Sequence, residues 1–322
     1  MWYGKKAMKT RILSLFAAAA LLVCLLAGCR GTREPEATPE PEPTVDPHEG
    51  MIEVTNGAGG TMWVDEAEAL TPFSLDRYSF SVTDGVVTYT RDNGSVIHGV
   101  DVSEYQHDID WEAVAASGVE FALIRVGWRG YGGGTLNPDE LYRQNIEGAQ
   151  AAGLKVGAYF FSQAISIMEA AEEAVYTAEL LKDYTLELPV YFDWEKIGVE
   201  PARTDDVDPD TVTACCVEFC RLLASEGFDT GVYSYIPDIY THYRLDDLQG
   251  LSFWVGDPGN WPEFYYEHSI WQYAFTGSVP GIDGEVDQDV MYVVTADAQA
   301  EFEPQAVDVS RTPEPAGTEA EG

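Results

Sequence analysis

A regular alternation of short apolar runs with amphipathic segments constrains the fold of this chain more than any other feature. From Ile97 onward, runs such as FALIRVGW and KVGAYFFS have the length and the β-branched or aromatic content of buried strands. They alternate with segments such as EAAEEAVYTAELL, whose apolar residues follow the period of a helix. Beyond Ile236 the helices become short while strands continue. About eight strands with fewer helices predict an α/β protein built on an irregular (β/α) barrel.

Local signals mark where several of these helices begin. Asn137 and Asp208 each precede a proline, and Ser166 precedes Glu169 by three residues. Short polar side chains cap the first backbone N–H groups of a helix, and proline is favoured in the first turn. We therefore expect a helix to begin directly after each of these three residues.

The N-terminus carries a targeting sequence. Basic residues precede the apolar run ILSLFAAAALLVCLLAG, which is short for a transmembrane helix and typical of a secretory signal. The run ends in LAGC, which resembles the lipobox of bacterial lipoproteins, so we expect residues 1–28 to be cleaved and Cys29 to be lipidated. This lipid would anchor the protein to the outer face of the cytoplasmic membrane. The alternative is an ordinary signal peptide followed by a chance cysteine.

Composition divides the rest of the chain into four parts. Residues 29–50 and 297–322 are rich in proline and acidic residues and poor in apolar ones, which predicts a disordered tether and a disordered acidic tail. Residues 51–96 contain SFSVT and VVTYT separated by DG, which predicts a β-hairpin in a small β-rich lead-in. Residues 97–296 form the predicted barrel.

Charge and cysteine content argue against several classes of partner and site. The chain has 55 acidic and 18 basic residues and a net charge of −37, which disfavours nucleic acids and anionic surfaces as partners. Cys215, Cys216 and Cys220 share one predicted helix, so they cannot build a disulfide framework, and their spacing lacks the CxxC pattern of a zinc site. We expect them to be buried apolar residues, and we expect no metal or cofactor.

Acidic residues occupy the ends of several predicted strands. In LPVYFDWEKIG, strand alternation sends Asp193 and Glu195 to the same face, about 6 to 7 Å apart. Asp101 lies in the first barrel strand, and Asp287 and Asp289 lie in the last, which is its neighbour when the barrel closes. Carboxylates that converge at the C-terminal mouth raise one another's pKa. A carboxylic acid that stays protonated is the proton donor that glycosidic bond cleavage requires.

The residues alone leave two other interpretations of these acids open. Acids at strand ends commonly cap loops or face solvent, and clustered oxygen ligands suit Ca²⁺ or Mg²⁺. His98 and His107 flank the first acidic strand, but no serine or cysteine nucleophile accompanies them, so we assign them no role.

A longer series of motifs resembles glycoside hydrolase family 25, the muramidase-type lysozymes. The motifs GVDVSEYQ, FALIRVGW, KVGAYFFS, LPVYFDWE, IWQYAFTG and GEVDQDV follow one another between about Ile97 and Thr295. The resemblance implies a flattened, irregular β/α barrel. It also implies hydrolysis of the β-1,4 bond between N-acetylmuramic acid and N-acetylglucosamine in peptidoglycan.

The resemblance assigns roles to four of the acids. Glu195 matches the family's general acid and Asp193 the aspartate that assists it, while Asp101 and Asp287 match the two outer aspartates. Many members have asparagine where this chain has Asp289, and the spacing after the apolar residue favours Asp287 as the acid that faces the sugar. For the family, a retaining reaction is implied in which the substrate's acetamido group attacks the anomeric carbon. Strand spacing does not separate this route from others.

Sugar binding also needs flat apolar faces and polar partners. Tyr159 matches the tyrosine of the family's third-strand motif. The other candidate substrate-binding residues are Phe161, Arg125, Tyr233, Trp254 and Trp271. Single aromatic residues in strands are more often core, and Arg125 could instead pair with carboxylates inside the barrel.

These features together predict a membrane-tethered N-acetylmuramidase that acts on peptidoglycan strands in cell-wall remodelling, as a monomer. The alternatives are a catalytically weak wall-binding lipoprotein and a hydrolase of a related N-acetylglucosamine polymer.

Overall fold

The computed structural model describes residues 46–294. The predicted signal peptide, the lipidation site Cys29, most of the tether and the acidic tail lie outside these described residues. No helix within the described range is long and apolar enough to cross a membrane.

Two antiparallel hairpins precede the barrel in the described part of the chain. Their strands are β1 (Met51–Thr55), β2 (Thr61–Asp65), β3 (Phe80–Thr83) and β4 (Val86–Tyr89). β1 pairs with β2, and β3 pairs with β4. The second hairpin is the one predicted from the DG dipeptide. Asp84 and Gly85 have φ of 51° and 75°, and two successive positive φ angles are what a type I′ turn requires.

Nine further strands of the described region form one sheet that closes on itself. They are β5 (Gly94–Val102), β6 (Val119–Arg129), β7 (Leu136–Pro138), β8 (Lys155–Ser162), β9 (Val190–Trp194), β10 (Thr230–Tyr235), β11 (Ser252–Gly256), β12 (Ile270–Gly277) and β13 (Val286–Val294). Eight form the barrel in the order β5-β13-β12-β11-β10-β9-β8-β6, which closes because β5 also pairs with β6. β13 runs antiparallel to both of its neighbours, and β7 pairs with the C-terminal end of β6. The predicted barrel is confirmed.

Five α-helices lie between residues 46 and 294, fewer than the strands, as predicted. They are α1 (Trp111–Ala116), α2 (Tyr142–Ala151), α3 (Ile167–Leu181), α4 (Pro209–Ser225) and α5 (Asp238–Thr241). The predicted starts of α3 and α4 are confirmed. Ser166 Oγ accepts the Glu169 backbone N–H at 3.4 Å, and Asp208 Oδ1 accepts that of Thr211 at 3.0 Å.

The helix start predicted at Asn137 is wrong. Asn137 lies inside β7, and its side-chain amide donates to the Thr135 carbonyl oxygen at 2.9 Å. α2 begins later, at Tyr142, and its N-cap Leu141 makes no side-chain cap bond. The backbone of β7 pairs with β6 instead, so tertiary pairing overrides the local cap signal.

Side chains of the barrel strands point alternately inward and outward. The inward cluster is largely aromatic and comprises Phe121, Leu123, Tyr159, Tyr191, Tyr233, Trp254 and Ile270. The outward residues pack on the helices, where the three cysteines of α4 are buried, as predicted, and form no disulfide with a described residue. A third cluster joins the outer faces of β12 and β13 to lead-in residues that include Phe73, Phe80 and Val87. The barrel is thus packed on both faces of its last strands.

Candidate active site

Asp193 and Glu195 lie together at the C-terminal end of β9. Asp193 is the fourth residue of the strand and is only 4% exposed. Glu195 follows the last strand residue, and its carboxyl group is in hydrogen-bonding contact with that of Asp193. Regular strand geometry would hold the two side chains about 6 to 7 Å apart. Glu195 lies beyond the last paired residue, where its backbone is no longer held in the ladder, so this strand spacing does not apply to it.

The contact between these two carboxyl groups requires a proton. Asp193 Oδ1 is buried, and no donor reaches it from the described residues. Burial raises the pKa of Asp193 well above its usual value, and the neighbouring charge of Glu195 raises it further. Burial raises the pKa of Glu195 to about 7, against an opposing effect of its contact with Asp193. The pair therefore keeps a proton near neutral pH, because two adjacent carboxylates would repel each other.

The first and last barrel strands bring further acids to the same mouth. The register of β5 and β13 sets Asp101 directly opposite Asp287. Gln272 on β12 donates its Nε2–H to Asp101 Oδ2 at 2.7 Å, and the same nitrogen is 3.4 Å from Asp287 Oδ2. Burial raises the pKa of Asp287 to about 8, and the charges of Asp101 and Glu195 add to this effect. Asp101, Asp193, Glu195 and Asp287 therefore lie close enough to interact electrostatically.

Asp289 lies deeper in the barrel than Asp287. It is fully buried, whereas Asp287 is partly exposed at the mouth. Asp289 Oδ1 accepts the Trp254 indole N–H at 2.8 Å. Its Oδ2 receives no hydrogen bond from a donor within the described range, but it belongs to a carboxyl group in contact with that of Asp101. A second proton is therefore held between Asp101 and Asp289, and burial raises the pKa of Asp289 to about 8.

The position of these acids bears on two questions left by the sequence. Of the two acids on β13, Asp287 is partly exposed and Asp289 is fully buried. Within residues 46–294, no group of three or more His, Cys, Asp or Glu side chains is arranged to hold a metal ion.

Predicted aromatic residues form the wall beneath the acids. The rings of Tyr159 and Tyr233 pack on that of Trp254, with centroids 5.5 and 4.3 Å apart. Tyr233 donates its hydroxyl to Gln272 Oε1 at 2.6 Å, which directs the other end of the amide toward the acids. Trp254 is 1% exposed, so it supports the site from below. Phe161 is half-buried beside Asp193, its partner in the register of β8 and β9.

Arg125 is held by acids outside the set predicted from the sequence. Its Nε donates to Asp139 Oδ2 at 2.9 Å, and its Nη2 is 3.5 Å from Glu104 Oε1. The ring of Tyr105 covers the guanidinium, with its centroid 4.9 Å from Cζ. Tyr105 is 71% exposed and so presents an aromatic face to solvent.

Trp271 does not reach the site, which corrects the expectation that it binds substrate. It is 0% exposed on the outer face of β12, in the cluster shared with the lead-in. Its indole N–H donates to the Asp257 carbonyl oxygen at 2.7 Å. The next residue, Gln272, points inward, and neighbouring residues of a strand point to opposite faces. Trp271 therefore joins the barrel to the lead-in.

Among the residues that sequence reasoning missed are Gln272, which donates to Asp101, and Tyr105, which covers Arg125. Gln272 is a polar residue within the apolar run IWQYAFTG, the same signal that singled out Arg125 in FALIRVGW. It could have been found in that way. Tyr105 gave no such signal, because an aromatic residue in a polar loop looks the same whether or not it covers a buried charge.

Comparison with known proteins places the barrel in a family. Residues 100–282 match the sequence profile of the glycosyl hydrolases family 25. The chain belongs to this family. The autolytic lysozyme of Clostridium acetobutylicum is 27% identical to it over 192 residues, which cover 59% of this chain and 54% of that protein.

Solved structures with a similar fold include an autolysin and a family 25 glycosyl hydrolase. The modular autolysin LytC of Streptococcus pneumoniae, solved in complex with a synthetic peptidoglycan ligand, is 25% identical with a TM-score of 0.55, covering 67% of this chain and 52% of LytC. A family 25 glycosyl hydrolase of Bacillus anthracis is 22% identical with a TM-score of 0.53, covering 63% of this chain and 92% of that one. This family 25 chain thus spans about half the length of LytC and of the clostridial lysozyme.

Proposed function

We propose that this family 25 chain is an N-acetylmuramidase, a lysozyme that hydrolyses the β-1,4 bond between N-acetylmuramic acid and N-acetylglucosamine in peptidoglycan. The observation that carries the proposal is the proton-holding pair of Asp193 and Glu195 at the barrel mouth. Glycosidic cleavage needs an acid that keeps its proton near neutral pH. The similarity to an autolytic lysozyme and to an autolysin that binds a peptidoglycan ligand supports the choice of substrate.

Glu195 is the member of the pair that donates the proton. It is partly exposed, whereas Asp193 is buried beside it. The proton passes from Glu195 to the glycosidic oxygen as the bond from this oxygen to the anomeric carbon breaks. The acetamido oxygen of the muramic acid residue attacks the same carbon, and the Asp193 carboxylate accepts the acetamido N–H. Water, which loses a proton to the Glu195 carboxylate, then opens the ring intermediate and restores the acid.

The separation of the two carboxyl groups supports this substrate-assisted route. Inverting pairs lie about 6.5 to 9.5 Å apart, and retaining pairs with a carboxylate nucleophile lie about 5 to 5.5 Å apart. Asp193 and Glu195 are in hydrogen-bonding contact, which is closer than either of these arrangements. The acetamido group supplies a nucleophile that this pair does not.

The remaining residues of the mouth bind the sugar. Asp101 and Asp287 face the same space from neighbouring strands, where their carboxyl groups are available to hydrogen-bond the sugar. The side chains proposed to contact the sugar rings or to support those that do are Tyr159, Phe161, Tyr233, Trp254, Arg125 and Tyr105.

We further propose that the protein acts outside the cytoplasm as a lipid-anchored monomer that remodels the wall of its own cell. The LAGC sequence and the proline- and glutamate-rich tether support this location. The C29A variant should move from the membrane fraction to the medium. Membrane retention of C29A would contradict the anchor.

Digestion of purified peptidoglycan tests the activity. New reducing ends on muramic acid are expected. Release from chitin alone would indicate the related polymer, and no release from either would indicate a wall-binding protein. The E195Q variant should lose cleavage while its thermal unfolding stays close to wild type, and retained cleavage would remove Glu195 from the role of acid.

A further inference from the structure

The backbone of Glu195 needs support from outside its own strand. β9 ends at Trp194, so the main chain of Glu195 is not held by the barrel ladder, and a loop leads from it to α4. A proton donor acts only within about 2.6 to 3.2 Å of the atom that it protonates. The structure must therefore fix this segment by other contacts.

Gln163 makes such a contact. It follows the last residue of β8 and is 0% exposed. Its Nε2 donates to the Glu195 carbonyl oxygen at 2.7 Å and to the Ser162 carbonyl oxygen at 2.9 Å. Its Oε1 accepts the Thr204 hydroxyl at 3.2 Å. Because backbone carbonyl oxygens only accept hydrogen bonds, these partners define which way the amide is turned.

A second hydrogen bond joins the same two segments in the opposite direction. The Trp194 indole N–H donates to the Ala164 carbonyl oxygen at 3.1 Å. Thr204, which lies farther along the loop after β9, is itself 0% exposed. The residues that follow β8 and β9 are thus tied together by buried bonds on both sides of the peptide that links Trp194 to Glu195.

We propose that Gln163 is a positioning residue for Glu195: its amide holds the Glu195 main chain so that the carboxyl group stays at the mouth in contact with Asp193. The inference rests on the proposed role of Glu195 as the acid. Gln163 touches neither substrate nor reacting atoms, and it acts only through the backbone that it holds. Without its amide, the loop after β9 loses one of its buried hydrogen bonds, and the Glu195 side chain becomes more exposed to solvent.

The Q163M variant tests the proposal because methionine has a similar volume but no donor or acceptor of comparable strength. We expect turnover of soluble peptidoglycan fragments to fall about 10- to 100-fold, the cost of a small displacement of a reacting group. KM should change less than about threefold, since sugar contacts remain. The alkaline limb of the rate profile should move to lower pH, because burial raises the pKa of Glu195 and the variant exposes it.

T204V is the matched control, because it removes the hydrogen bond to Gln163 Oε1 and leaves the bond to the Glu195 carbonyl oxygen. Its turnover should stay within about threefold of wild type, and its alkaline limb should not move. Q163N serves as a second variant if Q163M does not fold. Its amide is one methylene shorter, so it should show the same shift of the limb.

The outcomes separate this inference from the proposed function. Wild-type turnover and an unmoved limb in Q163M, with E195Q inactive, would overturn the role of Gln163 and leave the acid in place. Activity in E195Q would overturn the proposed function first. A loss of activity in Q163M that only follows its unfolded fraction, with the limb unmoved, would make Gln163 a purely structural residue and would also overturn the inference.

Discussion

Replacing Asp289 with asparagine removes a titrating group from the barrel interior while keeping its shape. In the native chain, Asp289 accepts the Trp254 indole N–H and shares a proton with Asp101. An asparagine can accept from Trp254 through its oxygen and donate to Asp101 through its nitrogen at every pH. We therefore expect D289N to fold, and to lose stability less steeply than wild type as the pH rises.

The magnitude follows from the linkage between protonation and folding. Burial raises the pKa of Asp289 from 3.8 to about 8, so between these values the folded chain holds a proton that the unfolded chain has released. Unfolding then releases this proton, and the free energy of unfolding falls by about 1.4 kcal/mol for each pH unit. From pH 6 to pH 8 the fall reaches at most about 3 kcal/mol, or roughly 6 to 12 °C in Tm for a domain of this size. D289N lacks this contribution.

Thermal unfolding followed by circular dichroism at pH 6, 7, 8 and 9, at fixed ionic strength, measures the slope of stability against pH. Asp287 and Glu195 titrate in both proteins, so the difference isolates Asp289 and its coupling to Asp101. D283N is the matched control, since Asp283 is an exposed acid in the loop before β13 and its replacement should leave the wild-type slope. Equal slopes for D289N and wild type would show that no proton is held between Asp289 and Asp101. This result would refute the inference drawn from the buried Asp289 Oδ2.

Two further substitutions test the packing around the site. W271A should lower the free energy of unfolding by about 3 to 5 kcal/mol, because it empties a fully buried site between β12 and the lead-in, yet the folded protein should cleave peptidoglycan at the wild-type rate. Urea unfolding measures the stability and a cleavage assay measures the rate. A loss of rate in protein that remains folded would indicate that Trp271 contributes to the site. G99A should cost about 1 to 3 kcal/mol in urea unfolding, because a Cβ there would overlap the Phe121 ring. G132A, where a Cβ meets no atom within 4 Å, is its control, and equal stability of the two variants would contradict the predicted overlap.

Periodicity predicted the barrel and the shared face of its acids, but it did not predict which face of β12 is inner. Asp193 was paired with Glu195, and Asp287 with Asp289, because the two-residue period holds along any regular strand. β12 is apolar on both faces, since its inner face meets the barrel interior and its outer face meets the lead-in. A strand buried on both sides gives no alternation to orient it, so Trp271 could not be placed from its own run of sequence.

Contacts between distant segments account for the remaining differences between the sequence-based predictions and the structure. Asn137 has the local signal of a helix cap, and the pairing of β7 with β6 overrides it. Gln163 and Glu195 are 32 positions apart and meet only because their strands are neighbours in the barrel. No local pattern distinguishes Gln163 from a solvent-exposed glutamine. The closeness of the two carboxyl groups of the β9 pair was missed for a similar reason, because strand geometry does not apply to a residue that lies one position past the strand.

The closing of the barrel by its last strand has a consequence for the timing of activity. Asp101 lies on β5 and Asp287 lies opposite it on β13, so these two acids face each other only when the first and last barrel strands pair. A chain that is still being synthesised carries the β9 acids without the opposing wall of the site. The strand order thus makes the proposed hydrolysis depend on a finished domain, because β13 is the last barrel strand to be made.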